Sequence, residues 1–165
     1  MAELEKRDIY ACALSMPSPE KPICAEWVEE ISRHARDKND EVYLVGHSLG
    51  VPAILRYLES APAGFTAAGA VLVSGPSEKT KPRQIDNFFD KPFDYKNIKS
   101  RAKKFAIIHG DNDPNVPFDN AETLSKELEG ELIVVENGGH LSGHDGYFSL
   151  PQCFEALMEM MNEAF

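Results

Sequence analysis

Apolar residues in this chain fall into short unbroken runs, separated by stretches with helical spacing. Val42-Tyr43-Leu44-Val45, Ala70-Val71-Leu72-Val73, Phe105-Ala106-Ile107-Ile108 and Leu132-Ile133-Val134-Val135 show no polar alternation. Such runs read as strands of a parallel sheet buried on both faces. Ile9-Tyr10-Ala11-Cys12-Ala13-Leu14 reads as a further short strand, which Pro17, Pro19 and Pro22 end in an extended loop. Trp27, Val28, Ile31 and Ala35 recur at helical intervals and predict an amphipathic helix over 25–36. The run after Ser48 predicts a helix ending near Ser60-Ala61-Pro62, and 119–128 a helix capped by Asp119 or Asn120. Ser149-Leu150-Pro151 starts a last helix, whose apolar stripe of Phe154, Leu157, Met158, Met161 and Phe165 is read as core packing.

Strands alternate with helices, without internal repeats or low-complexity tracts. This pattern predicts the α/β class: a three-layer α/β/α arrangement around a mostly parallel sheet. Residues 76–101 break the alternation. They are polar, carry Pro82 and Pro92, and hold Phe88, Phe89, Phe93 and Tyr95 with no clean period. The expectation is one domain over 1–165 with 76–101 as a lid-like excursion. Its rings either roof a pocket or pin a long loop to the core.

A chain of 165 residues suits one domain with a sizeable core. The net charge of −10 argues against nucleic acid or an anionic membrane as partner, since both call for a basic face. No apolar run approaches the length of a membrane span, and Met1-Ala2-Glu3-Leu4-Glu5-Lys6-Arg7 lacks the apolar core of a signal peptide. A cytoplasmic location is therefore expected. Cys12, Cys24 and Cys153 show no metal-ligand spacing and read as reduced packing thiols.

Gly46-His47-Ser48-Leu49-Gly50 sits between an apolar strand and a helical run. The five-residue pattern is loosely specified, but strand, tight turn, helix is the context of a nucleophile elbow. There the serine occupies a strained turn, flanking glycines let strand and helix approach, and the helix N-terminus aims partial positive charge at the reacting centre. The plain alternative is a glycine-rich turn with a bystander serine. A nucleophilic serine needs a base and a group that orients the base. On this architecture they follow in the order serine, acid, histidine, each at a strand end.

The strand 105–108 runs into His109-Gly110-Asp111-Asn112-Asp113-Pro114-Asn115-Val116-Pro117. Asp113, past the glycine turn and before the proline bend, is the expected acid, with Asp111 as competitor. The plain alternative is that both aspartates only build a turn. The last strand runs into Asn137-Gly138-Gly139-His140, which makes His140 the expected general base and His144 a weaker candidate. The side chain of His47 is expected to diverge from the serine at the sharp turn. His109, at a strand end, reads as a packing or loop-bonding residue and His34 as a helix-surface one. Three separate strand ends thus supply the right residue type in the right order, a stronger signal than the elbow alone.

These residues resemble the small single-domain serine hydrolases that include the YdeN-type bacterial proteins and retinoblastoma-binding protein nine. The resemblance rests on Met16-Pro17-Ser18-Pro19 with Trp27, Gly46-His47-Ser48-Leu49-Gly50 with Pro52-Ala53-Ile54-Leu55-Arg56, Leu72-Val73-Ser74-Gly75, Asp111-Asn112-Asp113 with Val116-Pro117-Phe118, and Gly138-Gly139-His140. It implies an α/β-hydrolase sheet, a Ser48, Asp113, His140 triad and esterase-like activity on small acyl esters. Members of the family begin with a strand that ends in a His-Gly turn. Measured against them, this chain is shortened by that strand and most of the first helix. The missing turn would hold one backbone donor of an oxyanion hole, whose other donor is the N–H of Leu49.

The expected function is therefore a serine carboxylesterase without metal or organic cofactor, whose partner is a small acyl ester. His47, Phe88, Phe89 and Phe93 are the expected pocket residues. The alternative is a catalytically weak or inert hydrolase-fold module that binds protein. The absent central strand also predicts an open seam of the sheet, closed by self-association or, as the alternative, by residues 9–14 sliding inward to pair with 42–45.

Overall fold

In a computed structural model that describes residues 1–35, 42–79 and 83–162, the four apolar runs pair in chain order. β1 (Tyr43–His47), β2 (Gly69–Val73), β3 (Phe105–Gly110) and β4 (Glu131–Val135) form one sheet ordered β1-β2-β3-β4. Every pairing is parallel, with Val45 opposite Val71, Val71 opposite Ala106 and Ile108 opposite Ile133. Parallel neighbours need long crossovers, and the intervening helices supply them. Helices α2 (Cys24–Ala35), α3 (Gly50–Ser60), α4 (Tyr95–Lys99) and α5 (Asp119–Leu128) follow in turn. A short helix, α1 (Ala2–Glu5), comes before them and α6 (Pro151–Asn162) comes last.

Period-two alternation along the strands splits the core in two. Leu44, Ala70, Leu72, Phe105 and Ile107 face one side with Trp27 and Ile31 of α2, Leu55 and Leu58 of α3, and Leu124 of α5. Val71, Val73, Ala106 and Ile108 face the other with Leu157 and Met160 of α6 and Leu4 of α1. The sheet therefore lies between two helical layers, the three-layer α/β/α arrangement expected from the sequence. No described helix is long and apolar enough to cross a membrane.

Four details differ from the sequence reading. First, only the central strands are buried on both faces. β2 and β3 are buried throughout, whereas Val45 of β1 and Val134 of β4 are each half exposed. A continuous apolar run does not distinguish a central strand from an edge one. Second, residues 9–14 form no strand. Tyr10 and Cys12 are exposed there, Asp8 turns the chain at φ 56°, and among the described residues β1 pairs with β2 alone.

Third, α5 has Phe118 as its N-cap rather than Asp119 or Asn120. The Asn120 side chain instead donates to the Pro117 carbonyl and accepts from the N–H and hydroxyl of Ser77. Fourth, α6 buries Ala156, Leu157 and Met160, while Phe154, Met158 and Met161 are only half-buried. The apolar side of this helix is wide enough that periodicity selects the wrong methionine. Phe165 and Arg36 lie outside the described residues.

The excursion is tied down by one buried cation. Arg56 of α3 donates through Nε to the Phe88 carbonyl at 2.9 Å and through its terminal nitrogens to the carbonyls of Lys91 and Pro92. Its guanidinium lies 4.0 Å from the centre of the Phe93 ring and pairs with Glu59 at 2.8 Å. Glu59 also receives the Asp94 N–H and the Lys91 ammonium. A planar fork of five donors suits such multiple capture of carbonyls. Asn87 adds two bonds, from its amide to the Pro22 carbonyl and from the Cys24 N–H to its own oxygen. Phe88, fully buried, packs edge-on against Trp27.

Candidate active site

The turn after β1 brings a serine to the C-terminal rim of the sheet. Ser48 adopts φ 52°, in the left-handed region that costs a β-carbon-bearing residue about 1 kcal/mol or more. Surrounding bonds hold it there. Its N–H donates to the Val73 carbonyl of β2 at 2.9 Å, and its carbonyl accepts from Val51 at 3.0 Å. The crossing of β1 and α3 leaves no room for a side chain at Gly46, where a Cβ would lie 2.7 Å from Ile54 Cδ1 and 2.8 Å from the Gly50 backbone. Gly50 itself has open space around its Cβ position. Gly75, which the sequence reading left without a role, has none: a Cβ there would overlap the Val51 side chain.

Two further loops converge on Ser48. Beyond β3, Asp113 has a side chain wholly shielded from solvent. Its Oδ1 accepts the N–H groups of Asn115 at 2.8 Å and Val116 at 3.0 Å. Its Oδ2 accepts Nδ1–H of His140 at 2.8 Å. With Nδ1 facing a carboxylate, Nε2 of the neutral ring is the acceptor, and the Ser48 hydroxyl donates to it at 3.0 Å. The His140 side chain is 12% exposed, enough for a small molecule to reach its edge. The three residues expected from strand order therefore form one hydrogen-bonded chain, and Asp113 rather than Asp111 contacts the imidazole.

Leu49 is the N-cap of α3, so its N–H belongs to the set that has no acceptor within the helix. His47 does not diverge as expected. Its Nε2–H donates to the His140 carbonyl at 2.8 Å, and the two rings lie 4.9 Å apart. Burial pushes the His47 ring below its ordinary pKa, and the bond to the His140 carbonyl, which favours the protonated ring, offsets this only in part. The period-two rule assigns His47 to the face opposite Gly46, but cannot show that the loop after β4 folds over that face.

His109 is buried and bonds to the following loop, as expected. Its Nε2–H donates to the Val116 carbonyl at 3.0 Å and lies 3.5 Å from Asp113 Oδ2. His144 lies exposed in a short turn at Gly143–Asp145, and His34 is exposed on α2. That turn is a reciprocal cap, with Ser142 donating to the Asp145 carboxylate through its hydroxyl at 2.6 Å and its N–H at 3.1 Å. These bonds hold the Asp145 carboxyl below its usual range. The spacing Ser-x-x-Asp was the legible signal for it.

Of the expected pocket residues, Phe88 is a correction: full burial against Trp27 withdraws it from any ligand. Phe89 and Phe93 stack edge-on at 5.8 Å. With Tyr95, Ser77 and Asn120 they line an open groove of about 460 Å³ between the excursion and the start of α5. Burial raises the Tyr95 hydroxyl to about 12, and that hydroxyl donates to the Ser77 carbonyl.

A family model described as serine hydrolase matches residues 2–159. The chain is 35% identical to YdeN of Bacillus subtilis (strain 168) over 150 residues, covering 90% of this chain and 79% of the relative. The crystal structure of the ydeN gene product superposes with a TM-score of 0.93 at 32% identity, covering 98% of this chain and 87% of that one. Serine hydrolase RBBP9 of Rattus norvegicus is 23% identical over 142 residues, covering 83% of this chain and 73% of the relative.

Proposed function

Since this chain belongs to the serine hydrolase family, we propose that it cleaves small carboxylic esters through Ser48, His140 and Asp113. The hydrogen-bonded run from Ser48 Oγ through the His140 ring to Asp113 Oδ2 carries this reading. Ser48 Oγ attacks the ester carbonyl while its proton passes to His140 Nε2. The buried Asp113 carboxylate steadies the imidazolium so formed. Negative charge on the former carbonyl oxygen is met by the Leu49 N–H at the positive end of α3. When the intermediate collapses, His140 returns the proton to the departing alcohol and an acyl-serine remains. Water then attacks that ester with His140 again as base, which releases the acid and restores Ser48. No step calls for a metal or organic cofactor. Three free thiols and the acidic surface suit a cytoplasmic setting.

A series of p-nitrophenyl esters tests the substrate class. Acetate and butyrate are expected to turn over well above the uncatalysed rate, with decanoate much slower. Inert esters together with no labelling by a fluorophosphonate would favour a hydrolase-fold module that binds protein instead.

A second copy of the chain is the partner in this reading. The run Tyr43-Leu44-Val45-Gly46-His47 carries no Lys, Asp, Glu or Pro, the residues that commonly blunt an edge strand. Among the described residues no strand pairs with its outer side, where Val45 is half exposed. A two-fold axis makes such an edge complementary to itself. Light scattering in dilute solution is expected to give the mass of a dimer, and a stable monomer would overturn this assignment.

A further inference from the structure

The loop after β3 meets the loop after β4 through three consecutive side chains. Asp111 Oδ1 accepts the Asn137 N–H at 2.7 Å. Asn112 Oδ1 accepts the Gly139 N–H at 2.7 Å. Asp113 Oδ2 accepts the His140 Nδ1–H at 2.8 Å. The sequence pairs these residues in parallel order, 111 with 137, 112 with 139 and 113 with 140. Asn137 and Gly139 both sit at positive φ, 53° and 59°, so the backbone before His140 turns twice through a left-handed conformation. Of the two, only Asn137 carries a side chain, and such turns store strain unless something holds them. There is also no slack between the loops: a Cβ on Gly110 would overlap the Gly139 carbonyl oxygen and lie 2.9 Å from its nitrogen.

We propose that Asn112, with Asp111, is a positioning residue that sets the register of the loop carrying His140. The proposal rests on the reading of Ser48, His140 and Asp113 as the reacting set. The Asn112 side chain bonds to the Gly139 backbone and not to Ser48, the His140 ring or the Asp113 carboxylate. It anchors the residue immediately before His140, and Asp111 anchors the one two positions earlier. Both side chains stand on the exposed rim, where a hydrogen bond adds little to global stability. Their effect is on geometry. A general base that drifts by about 1 Å loses roughly 10²-fold in rate, even when the substrate still binds.

Asn112→Ala, Asn112→Asp and Ser48→Ala are compared with wild type by kcat and KM on p-nitrophenyl acetate at pH 8, by fluorophosphonate labelling rate and by Tm. Asn112→Ala is expected to lose about tenfold or more in kcat and in labelling rate, with KM and Tm nearly unchanged. Asn112→Asp keeps an oxygen acceptor for the Gly139 N–H and is expected to recover most of that loss. Wild-type rates in Asn112→Ala, equal impairment of the Ala and Asp variants, or a rate loss that tracks a fall in Tm would each overturn the positioning role. Labelling that persists in Ser48→Ala would instead overturn the triad reading on which it rests.

Discussion

Ser48→Ala is expected to abolish ester hydrolysis and fluorophosphonate labelling in a chain that still folds. The hydroxyl donates to His140 Nε2 at 3.0 Å, and the substitution removes that oxygen alone. Without it no acyl-serine forms, so turnover falls by roughly 10⁴-fold or more, to what backbone donors and binding alone provide. Stability should change by no more than about 0.5 kcal/mol. Alanine inherits the same left-handed backbone at φ 52°, and the Ser48 N–H bond to Val73 does not involve the side chain. Urea melts and labelling of the same preparation check both halves. Labelling that survives the substitution would place the nucleophile elsewhere.

Asp113→Asn is expected to be nearly as damaging, and Asp111→Asn mild. The shielded Asp113 carboxylate uses Oδ1 for the Asn115 and Val116 N–H groups and Oδ2 for His140. An asparagine that keeps its oxygen on the two backbone donors turns its NH₂ toward His140. That NH₂ must donate, so Nδ1 becomes the acceptor and the ring proton moves to Nε2. A ring protonated there cannot take the proton of Ser48. The same substitution in a well-known triad costs about 10⁴-fold in kcat. At position 111 an asparagine still offers Oδ1 to the Asn137 N–H, so a loss of only a few-fold is expected. Steady-state kinetics of the two variants side by side decide the matter, and equal losses or the reverse order would reassign the acid.

The four strands and the three candidate positions were legible in the sequence because both depend on local features. Each strand is built on an apolar run, and each candidate side chain lies in the turn or loop that follows one. Asp113 could be preferred over Asp111 because the bend Pro114-Asn115-Val116-Pro117 follows it, and in the structure the N–H groups of that bend fix the carboxylate. What stayed hidden depends on contacts between distant segments. Arg56 gave no sign that it would gather carbonyls from residues 32 to 36 positions away. His47 meets His140 across 93 positions, and the Gly139 N–H meets Asn112 across 27. Residues 9–14 looked like a strand by composition alone. A strand is a pairing, and among the described residues only β2 is paired with β1.

The two glycines of the elbow are not equivalent, and this bears on how relatives are sought. Gly46 has a side-chain carbon and a backbone carbonyl within 2.8 Å of where a Cβ would stand, whereas Gly50 opens onto empty space at a helical position. A pattern search that weights both glycines equally will discard chains with alanine at the second position, although this backbone accepts one there. It will also ignore the glycine after β2, where a Cβ would overlap Val51. A profile anchored on Gly46, Ser48 and Gly75 describes the physical elbow more faithfully than the five-residue motif does.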